Sequence, residues 1–198
     1  MKKAVFLMTV IFSTLALMAQ QKETKVEIEI KNKKGNNYWI EIADRNCGAM
    51  SDKVNSFGKY YAWNMAATAK ERKTPGTSSD EVGSACKNFK GGEKEGWRLP
   101  TASEMEAIMK RIEARKDYAV IYSEKGDTAQ CVYIPYASYI PTGSDTPAKV
   151  GTEGVYWSGE GRKSSQWALA FHFKEKFINN PIFLKTDRLQ VRCVRTVE

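Results

Sequence analysis

The sequence predicts an α+β domain built on an antiparallel sheet. Three observations predict it: strand-like alternation towards both ends of the chain, helical periodicity in its middle, and the order strands, helices, many strands. The clearest stretch is WRLPTASEMEAIMKRI, from Trp97 to Ile112. Trp97 and Leu99 alternate around Arg98, as in a short half-buried strand. Pro100 stops that strand and biases Leu99 away from helix. Thr101 with Glu104 three residues later makes a capping box, the start signal of a helix. Met105, Ile108, Met109 and Ile112 then recur at i, i+3, i+4 and i+7, an apolar stripe, with Glu106, Lys110, Arg111 and Glu113 on the other side.

The chain opens with MKKAVFLMTVIFSTLALMAQQ. Lys2 and Lys3 precede an uncharged run from Ala4 to Ala19, which predicts a signal peptide over residues 1–19, cut after Ala19. The run is short of the roughly 20 apolar residues that a membrane span needs. The expected mature protein is therefore extracytoplasmic (periplasmic, surface-bound or secreted) and not membrane-embedded. About 179 residues remain of the 198, enough for one domain with a sizeable core.

Residues 20–37 are expected to form an N-terminal strand and hairpin extension, and 38–198 the main domain. Val26, Ile28 and Ile30 alternate with charged residues, NKKGNN makes a turn, and Tyr38 to Ala43 returns. Tyr60 to Lys73 has helical composition and ends in KERK, which suits a helix C-terminus. Ser78 and Glu81 repeat the capping-box pattern and open a short helix through Cys86. After the central helix, Tyr118–Tyr122 and Ala129–Tyr136 read as strands around the turn EKGD. Residues 137–154 are a long loop with two prolines and three glycines, and loops of that length in a compact domain carry function or are disordered. Val155–Ser158, Gln166–Lys174, Ile182–Leu184 and Leu189–Val194 read as further strands. In the second of these, Trp167, Leu169, Phe171 and Phe173 share one face, and Ala168, Ala170 and His172 the other.

The net charge of +8 falls to +6 without Lys2 and Lys3. Short basic clusters occur at Lys31, Lys33 and Lys34, at Lys70, Arg72 and Lys73, and at Lys174 and Lys176. Outside the cytoplasm their anionic partners are glycans or the cell envelope, and no nucleic acid is expected. The four cysteines, Cys47, Cys86, Cys131 and Cys193, point to two disulfides with three possible pairings. None forms a CxxC motif, and His172 is the single histidine, which removes most triad and multi-histidine metal schemes. The chain is therefore not expected to be an enzyme, and no catalytic residue, cofactor or metal is assigned.

Three segments carry a resemblance. They are DRNCGAMS…FGKYYAWNMA at 44–66, GWRLPTASEMEAI at 96–108 and YWSGEG…WALAFHF…LQVRCVR at 156–195. In this order they resemble the bacterial "major paralogous domain" family of secreted proteins, with its G-W-x-L-P-T/S-x-x-E box, Y-W-S-S-like strand and terminal V-R-C-V-R strand. The resemblance spans about residues 38–196. It implies a C-type-lectin-like fold: two helices packed on a small, mostly antiparallel sheet, with a long irregular loop between the middle strands. Tyr60–Lys73 (with 79–89) would be the first helix, Thr101–Ile112 the second, and 137–165 the loop. It also implies a Cys86–Cys193 disulfide, which leaves Cys47 with Cys131. The E-P-N, Q-P-D and W-N-D elements of calcium-dependent lectins are absent. Asn179 precedes Asn180-Pro181, and Ala168-Leu169 follows Trp167, so calcium-dependent sugar binding is not expected.

Trp63, Trp97, Tyr156 and Trp157 are expected in the core, Glu104 as a capping acid, and His172 as a strand histidine with one partner. Function moves to the loop, which Tyr136, Tyr139 and Trp167 border. Aromatic faces beside hydroxyls and charges suit a ligand site. The candidate contacts are Tyr139, Asp145, Glu153 and Arg162. The expected function is a secreted or surface-exposed binding module that recognises a glycan or extracellular protein through 137–165, without calcium. The alternative is a structural subunit of a surface appendage or envelope complex, joined through the edge strand Val26–Ile30.

Overall fold

A computed structural model describes residues 25–31, 35–63, 85–91, 95–123, 129–161 and 166–197. Among these, strand makes up 42% in four small antiparallel sheets, with one short helix. This overturns the expected α+β class with two helices, and the lectin-like arrangement drawn from it. Most of the expected first helix, and the Ser78–Glu81 capping box, lie outside the described residues. Of its described residues, Tyr61–Ala62 pair as a strand, Trp63 is helical, and residues 85–88 form turns.

The first sheet joins β1 (Val26–Ile30), β2 (Tyr38–Ile42) and β13 (Val194–Val197), with β2 in the middle. Val26, Ile28 and Ile30 alternate inwards as their spacing predicts, and Ile40 and Ile42 meet them from β2. Helix α1 (Ala102–Met109) packs on β1, and its capping box is present: Thr101 Oγ1 accepts from the Glu104 N–H, and the Glu104 carboxylate accepts from the Thr101 N–H. The helix ends three residues before Ile112. That residue pairs with Ile121 in the second sheet, β4 (Ile112–Ala114), β5 (Tyr118–Tyr122) and β6 (Cys131–Pro135). A β-branched residue offered a strand partner follows the pairing, not the helical stripe.

The third sheet is built on β9 (Trp167–Lys174). β8 (Gly154–Gly161) lies on one side, and β10 (Phe177–Asn179) and β11 (Ile182–Leu184) on the other. It separates two cores. Tyr156, Phe171 and Phe173 enter the core under α1, while Val155, Trp157, Ala168 and Ala170 enter a second one with Trp63, Leu99 and Leu189. The alanine face of β9 is thus as buried as its phenylalanine face, because small side chains leave room for the indole of Trp157. The fourth sheet, β3 (Tyr61–Ala62), β7 (Tyr139–Ile140) and β12 (Arg188–Leu189), is two residues wide throughout, with β12 in the middle. Among the described residues no helix is long and apolar enough to cross a membrane.

Candidate functional site

The long loop is ordered from within. Its base is closed by the Ser138 N–H donating to Glu153 O at 2.9 Å and the Gly151 N–H to Tyr136 O at 2.7 Å. Inside it, the Ala148 N–H donates to Tyr139 O at 2.8 Å. Ser138 takes a left-handed conformation (φ 54°) to make the corner, a cost that these bonds offset. β7 then ties the loop to β12 by pairing Tyr139 with Leu189 and Ile140 with Arg188.

A polar network braces the loop's outer side. The Asp187 carboxylate accepts from the Thr142 N–H (2.8 Å), the Thr142 hydroxyl (2.9 Å) and the Leu184 N–H (3.1 Å). The hydroxyls of Thr142 and Thr186 lie 2.7 Å apart. Arg188 donates to Ser144 O at 2.6 Å and stands 3.6 Å from Asp145. Beside this network the Tyr139 ring meets Phe183 edge-to-face, centroids 4.8 Å apart, and Phe183 meets Trp157 in the same way. Tyr139 and Phe183 are half-buried. Burial, and then the charges of Asp187 and Glu153, raise the Tyr139 hydroxyl above its ordinary pKa, so it stays a neutral donor.

The four sequence candidates fall into different places. Tyr139 and fully exposed Asp145 belong to this braced surface. Glu153 does not: it is buried beneath the loop, where its carboxylate meets His172 Nε2 at 3.2 Å and the Ser138 hydroxyl at 3.3 Å. It is a strut, and it supplies the one partner expected for His172. Arg162 lies outside the described residues. Tyr136 is wholly buried, with its hydroxyl donating to Arg115 O. Trp63, Trp97, Tyr156 and Trp157 are core residues, as expected. Sequence reading missed Phe183, Asp187 and Arg188. The usable signal was Thr186-Asp187, a turn pair whose aspartate binds backbone N–H groups.

A second concavity, a cleft of about 460 Å³, opens between residues 45–61 and 85–90. Arg45, Lys59 and Lys90 give it a basic rim, with Phe89 on one wall and Cys47 on the other. The Arg45 guanidinium lies 5.6 Å from the Phe89 ring centroid and donates to Lys90 O at 2.7 Å.

Cys86 and Cys193 form a disulfide, as the resemblance implied. Cys47 and Cys131 do not join. Cys131 is opposite Tyr122 on β6, whereas the Cys47 sulfur is buried 3.1 Å from that of Cys193. Burial pushes the Cys47 thiol up to about 12, against the opposing charge of Arg192. For a metal, the loop carboxylates each already face a basic group, Asp145 with Arg188 and Glu153 with His172. Among the described residues the cluster of ligand-type atoms is Cys47, Cys86 and Cys193, all within 4.8 Å, two of them spent on the disulfide.

Compared with known protein families, curated proteins and solved structures, the chain matches none.

Proposed function

We propose that the protein is an extracytoplasmic binding module that takes a glycan or protein ligand on the loop of residues 137–153, which β8 follows, and on β11–β12, without calcium. The observation that carries this reading is the braced loop surface. It sets the half-buried Tyr139–Phe183 pair beside the hydroxyls of Thr142 and Thr186 and the Asp145–Arg188 pair. An aromatic face flanked by fixed hydrogen-bonding groups suits a sugar ring, whose C–H face stacks while its hydroxyls exchange bonds. The Cys86–Cys193 disulfide supports an oxidising compartment, and the motif order from 44 to 195 supports the resemblance to secreted domains. The edges needed for assembly are partly taken. The Glu27 N–H of β1 donates to Ser123 Oγ, and Val194 of β13 exchanges both backbone bonds with Arg98. That weighs for ligand binding over strand addition.

The test is binding of the mature protein to a glycan array and a panel of extracellular proteins, with and without chelator. Binding that survives the chelator and falls about tenfold in Tyr139→Ala, the loss of an anchoring aromatic, is expected. Blank results on both surfaces would sink the reading, and loss of binding on chelation would sink its calcium-independent part.

A further inference from the structure

Cys47 lies against the Cys86–Cys193 disulfide. Its sulfur lies 3.1 Å from that of Cys193, and the three sulfurs all lie within 4.8 Å of one another. The backbone holds Cys47 in place: its N–H donates to Val191 O at 3.0 Å, and its carbonyl accepts from the Lys59 N–H at 2.9 Å. A buried cation stands nearby. The Arg192 guanidinium donates to Asn46 Oδ1 (2.9 Å), Ala43 O (2.8 Å) and Tyr133 O (2.7 Å), all neutral oxygens, and its charge favours a Cys47 thiolate.

We propose that Cys47, Cys86 and Cys193 are a thiol–disulfide exchange centre in which Cys193 takes either neighbour as its partner. Cys47 loses its proton and its thiolate attacks the Cys193 sulfur. The Cys47–Cys193 bond forms, the Cys86–Cys193 bond breaks, and Cys86 leaves with the electron pair and takes up a proton. One disulfide and one thiol are present before and after, so the step needs neither oxidant nor reductant. The consequence falls on the basic cleft. Cys47 belongs to its 45–61 wall, and Cys86 adjoins the 85–90 wall. With Cys86 bonded, the Phe89 wall is tied to the C-terminal strand region. With Cys47 bonded, that wall is released while the 45–61 wall is held. The high pKa of Cys47 sets the rate: below about 12 the thiolate fraction, and with it the exchange, rises about tenfold per pH unit.

The experiment uses the full mature chain carrying Cys131→Ser, dilute and without reductant, held at a series of pH values from neutral to mildly alkaline. Each sample is quenched in acid, alkylated and mapped without reduction. Alkyl label appearing on Cys86, with Cys47 linked to Cys193 and a rate rising about tenfold per pH unit, is expected. Label confined to Cys47 at every pH, or label on Cys86 in a Cys47→Ser control, would overturn the proposal. A second measurement uses Cys86→Ser, in which air oxidation is expected to join Cys47 to Cys193. A folded Cys86→Ser chain whose two thiols both stay open to alkylation after oxidation would also overturn it. The pH series on the chain with Cys86 intact decides the matter whether or not that variant folds.

Discussion

Glu104 shows how much one side chain does in this chain. It is wholly buried, yet its carboxylate accepts from both Nη atoms of Arg98 at 2.7 Å, from the Thr101 N–H at 2.8 Å and from the Tyr38 hydroxyl at 2.9 Å. Burial alone would push its pKa up. The Arg98 bonds, the Thr101 N–H, the Arg98 charge and the Tyr38 bond together outweigh burial and hold it below the usual carboxylate value. A depressed folded pKa contributes stability that is present above the unfolded value of about 4.3 and is lost as pH falls through the lower folded value. Glu104→Gln is therefore expected to cost about 2–3 kcal/mol in urea unfolding at neutral pH, with the difference from the native chain shrinking in acid. The spacing Thr101-x-x-Glu104 made the cap legible in the sequence. Arg98 and Tyr38 were not legible as partners, because a capping box specifies only its own four residues, and Tyr38 arrives from β2. Glu153 is the same lesson in reverse. Its place in a polar loop suggested a ligand contact, and only the fold brings His172 beneath it.

At the scale of elements, legibility followed the length of the repeat. The β1–β2 hairpin, β5, β6, β9 and the start of α1 were all readable, since each carries several turns of its own period. The sheet of β3, β7 and β12 was not. Each strand has two residues, too few for any period, and the three pair across 61–62, 139–140 and 188–189. The loop site rests on that sheet, so its contact surface was half visible: Tyr139 and Asp145 could be named, but Phe183 and Arg188 could not. Two substitutions probe these elements. Thr101→Ala removes the hydroxyl that caps α1 and is expected to cost about 1 kcal/mol in chemical denaturation. Gly154 opens β8 against the Phe173 ring, where an added Cβ would stand 2.3 Å from Cζ. Phe173 is packed between Tyr136, Tyr156 and Phe171 and cannot swing away. Gly154→Ala is thus expected to cost about 1–3 kcal/mol and to lower the melting temperature.

At the scale of the molecule, two cores share one separating sheet, and the disulfide lies in only one of them. The Cys86–Cys193 bond closes a separation of 107 residues, which in the chain-entropy picture contributes about 4–5 kcal/mol. Cys193→Ser, which removes the sulfur common to both possible bonds, is expected to lose about that much. Cys86→Ser is expected to lose less, because Cys47 takes its place, and thermal unfolding of the two oxidised variants side by side measures the gap. The balance of helix and strand was misread at this scale. Local composition favoured helix after Tyr60, while the long-range partner of Tyr61, Leu189, lies 128 residues away.

β2 sits between β1, which precedes it by a short hairpin, and β13, which reaches it from the far end of the chain. Ile42 cannot meet Val194 until the 151 residues between them have been made. This first sheet therefore cannot be complete before β13 is made, and its folding belongs to the slow, high-contact-order class. A chain still emerging from a ribosome would display β2 with one flank open. Only the arrival of VRTV closes it, so this flank stays unpaired until the strand most distant from it in sequence has been made.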